Sequence, residues 1–307
     1  MLSYGRFVSR MYYSYEYVFA LFGAASLAGL LGALLGVGGG IFIVPVMVLA
    51  FHLPMKIAVA ASIVSVIATS NAGGSKYVDQ RITNLRLGMF LEIATTIGAL
   101  SGSILALYLS EWVMLMLFSG LLAYMGYTAF VTRHLDDARI ASGAFAAARQ
   151  DRLSAFLALS GDYYDQAAGR TIEYVVTGAP IGAAISYLAG MASGLLGVGG
   201  GVLKVSAMNQ HMNVPMKAAV GTSKLMIGVT AAVSSILFFL AGLIHFYVVA
   251  PVAIGTTTGA TIGTMIMNRL HSAYLKWLFA ALMAYLSYGM LAKALSIHFG
   301  LHLPALV

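Results

Sequence analysis

Two lysines and one glutamate stand in apolar stretches, where a charge is expensive. Lys204 follows a glycine run by three residues, Lys224 lies inside Gly221-Thr222-Ser223-Lys224-Leu225-Met226, and Glu92 interrupts an apolar run near 87–108. An ionisable side chain inside a membrane segment is by default functional, as a ligand contact or a proton carrier. The competing uses are plain: Lys204 is close enough to a segment end to snorkel, and Glu92 could be hydrated from the loop before it. Hydroxyls cluster nearby, namely Ser62, Ser65, Thr69 and Ser70, then Thr222, Ser223 and Thr230. Ser62, Ser65 and Thr69 share one helical stripe, which either lines a polar path or bonds back to the preceding turn's carbonyls. The chemistry these types support is anion binding by a cation and hydroxyl donors, with one carboxylate to carry a coupling proton.

The glycine run is written twice. Gly36-Val37-Gly38-Gly39-Gly40 returns as Gly197-Val198-Gly199-Gly200-Gly201, an offset of 161. At that offset, without a gap, Pro54-Met55-Lys56 meets Pro215-Met216-Lys217, Ser62 meets Ser223, and Gly98 and Gly102 meet Gly259 and Gly263. The chain therefore reads as two copies of one unit. Lys204 and Lys224 fall on Ile43 and Ile63, so the copies differ in charge, which leaves one half to bind and the other to gate. A glycine triplet ends a helix, and where Ile41 and Val202 restart it the first N–H groups lack an intrahelical acceptor. Such a start attracts anions, and no side chain blocks approach. The candidate anion-binding residues are thus Gly38, Gly39, Gly40, Ser62, Gly199, Gly200, Gly201, Lys204, Thr222, Ser223 and Lys224, with Glu92 the coupling candidate. Close helix packing is the competing use of glycine, and it is the preferred reading for Gly32/Gly36, Gly98/Gly102 and Gly259/Gly263. Neither run is a dinucleotide fingerprint, because no strand precedes it and no acidic residue follows at the required distance.

The elements that must position these residues are membrane helices. Of 307 residues, 60% are hydrophobic and 9% charged, with a mean hydropathy of +0.90; a soluble domain carries far more charge. The apolar runs do not alternate with period two, so an all-α membrane protein is expected. Full helices are predicted near 17–36, 56–72, 87–108 and 112–131, then 174–196, 217–241, 247–266 and 272–294. Short half-helix arms follow the glycines at 41–51 and 202–211. The expected organisation is an N-terminal segment 1–16, a first repeat 17–131, a cytoplasmic connecting loop 132–172 and a second repeat 173–307. Arg6 and Arg10 followed by tyrosines suit a membrane edge better than a cleaved signal peptide. The connecting loop reads as a tether in which Phe145, Leu153, Phe156 and Leu157 could form a helix lying on the bilayer.

Topology is left with two solutions. Arms that dip and return give eight crossings in parallel repeats; arms that cross give ten passes in inverted repeats. Both place 11 basic residues inside and 4 outside, with the connecting loop cytoplasmic. The shortness of the arms favours eight. Without cysteine there is no disulfide or thiolate metal site. The seven histidines and 17 methionines are scattered and form no ligand set, so neither metal nor cofactor is called for. No Ser/His/Asp or paired-carboxylate arrangement argues for an enzyme. The net charge of +7 is spread among short loops and does not point to nucleic acid. A passive anion channel, and less readily a cation or metal transporter, are the competing functions.

These residues resemble a known family, the TauE/SafE sulfite exporters, also grouped as 4-toluene sulfonate uptake permeases. The resemblance is carried by Gly36 to Gly40 with Pro45 and Pro54, and by Gly197 to Gly201, Lys204-Val205, Pro215-Met216, Gly221-Thr222-Ser223 and Ile227-Gly228-Val229-Thr230-Ala231. It covers both repeats. It implies a secondary transporter of sulfite, sulfonates or related sulfur oxyanions, coupled to a proton or sodium gradient, with the bilayer and a homo-oligomer as possible partners. Ser206 departs from the proline matched by Pro45, and Lys224 stands where a small polar residue is usual.

Overall fold

The computed structural model describes residues 15–34, 39–131, 145, 148, 150–165, 169–267 and 272–300. From the first half come α1 (Tyr15–Leu34), α2 (Gly40–Leu49), α3 (Met55–Asp79), α4 (Leu85–Tyr108) and α5 (Glu111–Val131). A short α6 (Arg152–Phe156) and an antiparallel hairpin of β1 (Gly161–Asp165) and β2 (Arg170–Tyr174) follow. The second half holds α7 (Ala179–Leu196), α8 (Gly201–Ser206) running into a π-helical turn (Ala207–His211), α9 (Met216–Leu240), α10 (Phe246–Met267) and α11 (Ser272–Phe299). The predicted helices are found with ends shifted by a few residues, and α7 starts later because β2 runs to Tyr174 and a non-helical link ending in left-handed Gly178 follows it.

Six described helices, α1, α4, α7, α9, α10 and α11, are long and apolar enough to cross a membrane. Their outer faces show which solvent they suit. On α4, Met89 is 70% and Ile93 66% exposed, with Ile97 and Ile104 on the same side, while Thr95 and Ser103 are buried. Water would penalise that belt by about 25 cal/mol per Å² of apolar surface, and hydrocarbon would not. This is a multi-pass, all-α membrane protein.

The helices pair across the two halves, and their contacts fix their directions. Gly255 lies beside Phe22, Gly259 beside Ser26 and Gly263 beside Leu30, so α1 and α10 run parallel. Gly190 meets Thr95 and Gly194 meets Ala99, so α4 and α7 are parallel too. A Cβ on Gly98, Gly102, Gly190 or Gly259 would overlap a carbonyl oxygen of the partner helix, so these glycines serve close backbone packing. By contrast α5 and α11 are antiparallel: Trp112 stacks on His298, and Ser119 Oγ donates to the Ser287 carbonyl at 2.9 Å.

The first arm, α2, returns along α1. Gly39 lies beside Gly29, Ile43 and Met47 line a cleft with Ala25 and Leu21, and Phe51 meets the Tyr17 ring edge-on at 5.6 Å. The arm thus comes back to the first turn of α1, unlike the dip from the far side that eight crossings require. Its shortness misleads because it starts at the level of Gly29; about 18 Å of helix then suffices to reach Tyr17. Both arms end in the same turn. Leu53 N–H donates to Met47 O, and Val214 N–H to Met208 O, each at 3.0 Å. His52 and Asn213 are left-handed there, with φ of 52° and 57°.

In the connecting segment the expected short helix is found as α6, with Leu153 and Phe156 exposed, but Phe145 is not part of it. Among the segment's described residues α6 is five residues long, and Phe145 is buried with Leu159, Tyr163, Ile172 and Tyr174 against Met208, Met212 and Leu87. Asn84 Nδ2 donates to the Leu159 carbonyl (2.8 Å) and to Tyr174 Oη (3.0 Å). Asn213 Nδ2 donates to the carbonyls of Phe145 and Val175, each at 2.9 Å. Burial pushes the Tyr174 hydroxyl up to about 12, so it stays a neutral phenol that can accept from Asn84. The hairpin is therefore a cap docked on the end of the second arm.

Candidate anion-binding and coupling site

The two glycine breaks meet, but by their carbonyls. Ser62 Oγ on α3 is within hydrogen-bond reach of Gly197 O (2.7 Å) and Gly40 O (3.2 Å), joining the halves. Ser223 Oγ on α9 donates to Gly201 O at 3.3 Å, the offset counterpart of the Ser62–Gly40 bond. Both serines are buried and spend their proton on backbone, so the structure does not leave them as ready anion donors. Of the stripe read from the sequence, Ser65 bonds Thr256 across to α10 (2.6 Å), and only Thr69 bonds back to its own helix.

At the restart of each arm the first N–H groups have no intrahelical acceptor among the described residues. In α2 the first intrahelical bonds come from Phe42 and Ile43 to Gly39 O, and in α8 from Lys204 to Gly200 O at 3.1 Å. The N–H groups of Gly40, Ile41, Gly201, Val202 and Leu203 precede them. Gly197, Gly199 and Gly200 are left-handed, with φ of 73°, 74° and 64°. A Cβ at Gly201 would strike Ile227, and one at Gly199 would press on Ile227 and Val66, so α3 and α9 side chains close over the second break. Gly38 lies outside the described residues.

Lys204 and Glu92 are brought together. Lys204 is fully buried, and its Nζ donates to Thr230 Oγ1 at 2.8 Å. Thr230 Oγ1 lies 2.8 Å from Glu92 Oε1 and 2.9 Å from its own helix carbonyl at Met226. Glu92 Oε2 is 3.9 Å from the ammonium. Thr95 Oγ1 donates to Glu92 Oε2 (2.9 Å), and Thr96 Oγ1 reaches Oε1 (3.3 Å). The cluster joins α4, α8 and α9 about midway along α9. Snorkelling does not describe Lys204, which points inward.

Glu92 is not exposed to the preceding loop. Asn84 N–H donates to Thr222 Oγ1 at 3.0 Å, so α4 begins at the level of the seventh residue of α9, about 9 Å in. The hairpin covers that start, and the Glu92 side chain is 14% exposed. Thr222 is thus a docking acceptor for α4. Lys224 is half-buried, and its carbonyl accepts from Ser70 Oγ. Thr95 and Thr96 were absent from the sequence-derived site. Their spacing of three and four after Glu92, one helical turn, was the available signal.

A family profile described as "Sulfite exporter TauE/SafE" matches residues 21–290. The chain belongs to this family. Among its relatives, the "Probable membrane transporter protein YunE" of Bacillus subtilis (strain 168) is 24% identical over 253 residues, covering 80% of this chain and 87% of the relative. A "Probable membrane transporter protein" of Xylella fastidiosa (strain 9a5c) is 24% identical over 252 residues, covering 82% and 85%. YdhB of the same Bacillus strain, with the same description, is 21% identical over 250 residues, covering 81% and 90%. No solved structure matches. With its family, the chain is a membrane transporter and not an enzyme.

Proposed function

We propose that this protein is a secondary transporter of a small sulfur-containing oxyanion, such as sulfite or a sulfonate, across the cell membrane, coupled to protons. The observation that carries this reading is the buried Lys204–Thr230–Glu92 cluster, where an anion and a proton have a reason to travel together. An anion arriving at Lys204 competes with Glu92 for the cation. Deprived of that field in a low-dielectric site, the carboxylate takes up a proton. Release on the far side reverses both events. Sodium held by Glu92, Thr95 and Thr96 is the alternative coupling ion.

The helix directions support ten passes in two inverted repeats, 17–131 and 173–307, rather than eight in parallel ones. The pairing that decides is α5 with α11, which are counterparts at the 161-residue offset yet run antiparallel, as inversion about an axis in the membrane plane requires and parallel repeats forbid. The basic-residue excess then puts the connecting segment 132–172 in the cytoplasm and both termini outside. Inverted repeats suit alternating access, with one repeat rocking on the other around a central site.

The test is uptake of labelled sulfite, thiosulfate, sulfate and a small sulfonate into proteoliposomes, with imposed proton or sodium gradients. Proton-driven accumulation of one anion is expected. Flux that only equilibrates would make the protein a passive channel, and silence for all four would remove the oxyanion reading.

A further inference from the structure

We propose that the anion is held between α7 and the second arm, by Ser186 together with Lys204, and not on the glycine axis. This rests on the transport reading and names the substrate contact within it.

Ser186 is fully buried, and among the described residues its Oγ has no hydrogen-bond partner. Such a group calls for an explanation. Its place on α7 supplies one. Gly182, one turn before it, abuts Met212 at the end of the arm, while Ala189, one turn after it, abuts Gly200 at the arm's start. Ser186 therefore faces the middle of the arm, where Lys204 stands. The Lys204 ammonium has three donors, of which one is used on Thr230; Glu92 at 3.9 Å lies beyond hydrogen-bond range. A buried cation with donors to spare and a hydroxyl without a partner thus border the same stretch.

The first half shows what this stretch is without its polar groups. There Leu21, Ala25, Ala28, Ile43, Met47 and Val252 line an apolar cleft between α1 and its arm. At the 161-residue offset these positions are Gly182, Ser186, Ala189, Lys204, Met208 and Leu91. The counterpart of that cleft is the stretch between α7 and the second arm. In the second half it carries a cation from one wall and a hydroxyl from the other. That pair matches a sulfite or sulfonate head, whose charge Lys204 balances while Ser186 donates to one oxygen.

The experiment measures sulfite and ethanesulfonate binding to the full-length protein in nanodiscs, for wild type, Ser186→Ala and Ala25→Ser. Ser186→Ala is expected to weaken binding about ten-fold, the cost of a hydrogen bond to a charged group, with its melting temperature unchanged. Ala25→Ser, which adds a hydroxyl to the half without a cation, is expected to bind as wild type. A Ser186→Ala protein that binds within two-fold of wild type would overturn the assignment, as a merely hydrated serine predicts. If Lys204→Met still abolishes binding in that case, the transport reading survives and only Ser186 is withdrawn. A wild type that binds neither anion removes both.

Discussion

The two arms leave the same glycine run, pack back along the helix before them and end in the same left-handed turn, yet they differ in chemistry. In α2 the middle of the arm is Ile43, buried among aliphatic side chains, followed by Pro45 within a regular helix. In the second arm the same place is Lys204, joined to Thr230 and Glu92, and the helix widens into a π turn at Ala207–His211. Single π turns often mark functional sites. The second arm is also the one that the β-hairpin covers. The two arms thus share a backbone path and an end turn, while the side chain at the middle of the arm is apolar in one and charged in the other. One backbone path therefore accommodates either chemistry, and exchanging residues at offset positions is a direct way to probe it.

The largest effect should come from the glycines on which the breaks depend. Gly200 is left-handed with φ 64°, and a Cβ there would sit 2.6 Å from Ala189 O, whereas for a Cβ on Gly39 the nearest atom among the described residues is Gly29 Cα at 3.5 Å. Gly200→Ala should therefore lose about 3 kcal/mol and most of its folded yield, while Gly39→Ala, with φ −63°, should melt near wild type. Equal behaviour of the two variants in a detergent melt would show that the breaks are not built differently.

Next comes replacement of the charged pair, one member from each half, by its offset counterparts. Lys204→Ile with Glu92→Ala reproduces Ile43 and Ala253. The double variant should fold as well as wild type and transport nothing, because replacing a buried ion pair by apolar groups is often neutral. Lys204→Ile alone, which leaves Glu92 without its cation, should cost on the order of 3 kcal/mol more than the double variant. Transport by the double variant would mean that the Lys204–Glu92 cluster is not the site.

A smaller effect concerns the cap. Asn84 holds the hairpin by two side-chain bonds and caps α4 by accepting from Leu87 N–H. Asn84→Ala should cost about 2 kcal/mol and speed hydrogen exchange in 161–174, with exchange in α2 unchanged. The smallest effect belongs to Lys217, which pairs with Asp165 at 2.7 Å but is 52% exposed. Lys217→Ala should lower stability by less than about 1 kcal/mol and leave transport intact.

Much of this was legible in the sequence because membrane segments and repeats leave strong signals. The glycine runs, the helices and the isolated charges were all found from residue type and spacing. The family resemblance named from those residues is borne out by the matching profile. What was not legible depends on how segments meet. Whether an arm dips or returns depends on where it restarts, and Gly39 beside Gly29 is a tertiary fact. Ser62 and Ser223 looked like ligands because a hydroxyl's acceptor cannot be read from spacing; here it is a carbonyl on another element. The hairpin was missed because Tyr163/Asp165 and Ile172/Tyr174 alternate over only five residues each, too briefly to outweigh the reading as a tether.

The proposed meeting of anion and proton at the Lys204–Thr230–Glu92 cluster is open to experiment. It is tested most directly by following sulfite entry and internal pH together in proteoliposomes carrying wild type or Glu92→Gln. The account predicts that wild type accumulates sulfite and acidifies the lumen in step, while Glu92→Gln still exchanges sulfite for sulfite but no longer accumulates it against a gradient. Accumulation by Glu92→Gln at the wild-type level, with the same proton movement, would contradict it.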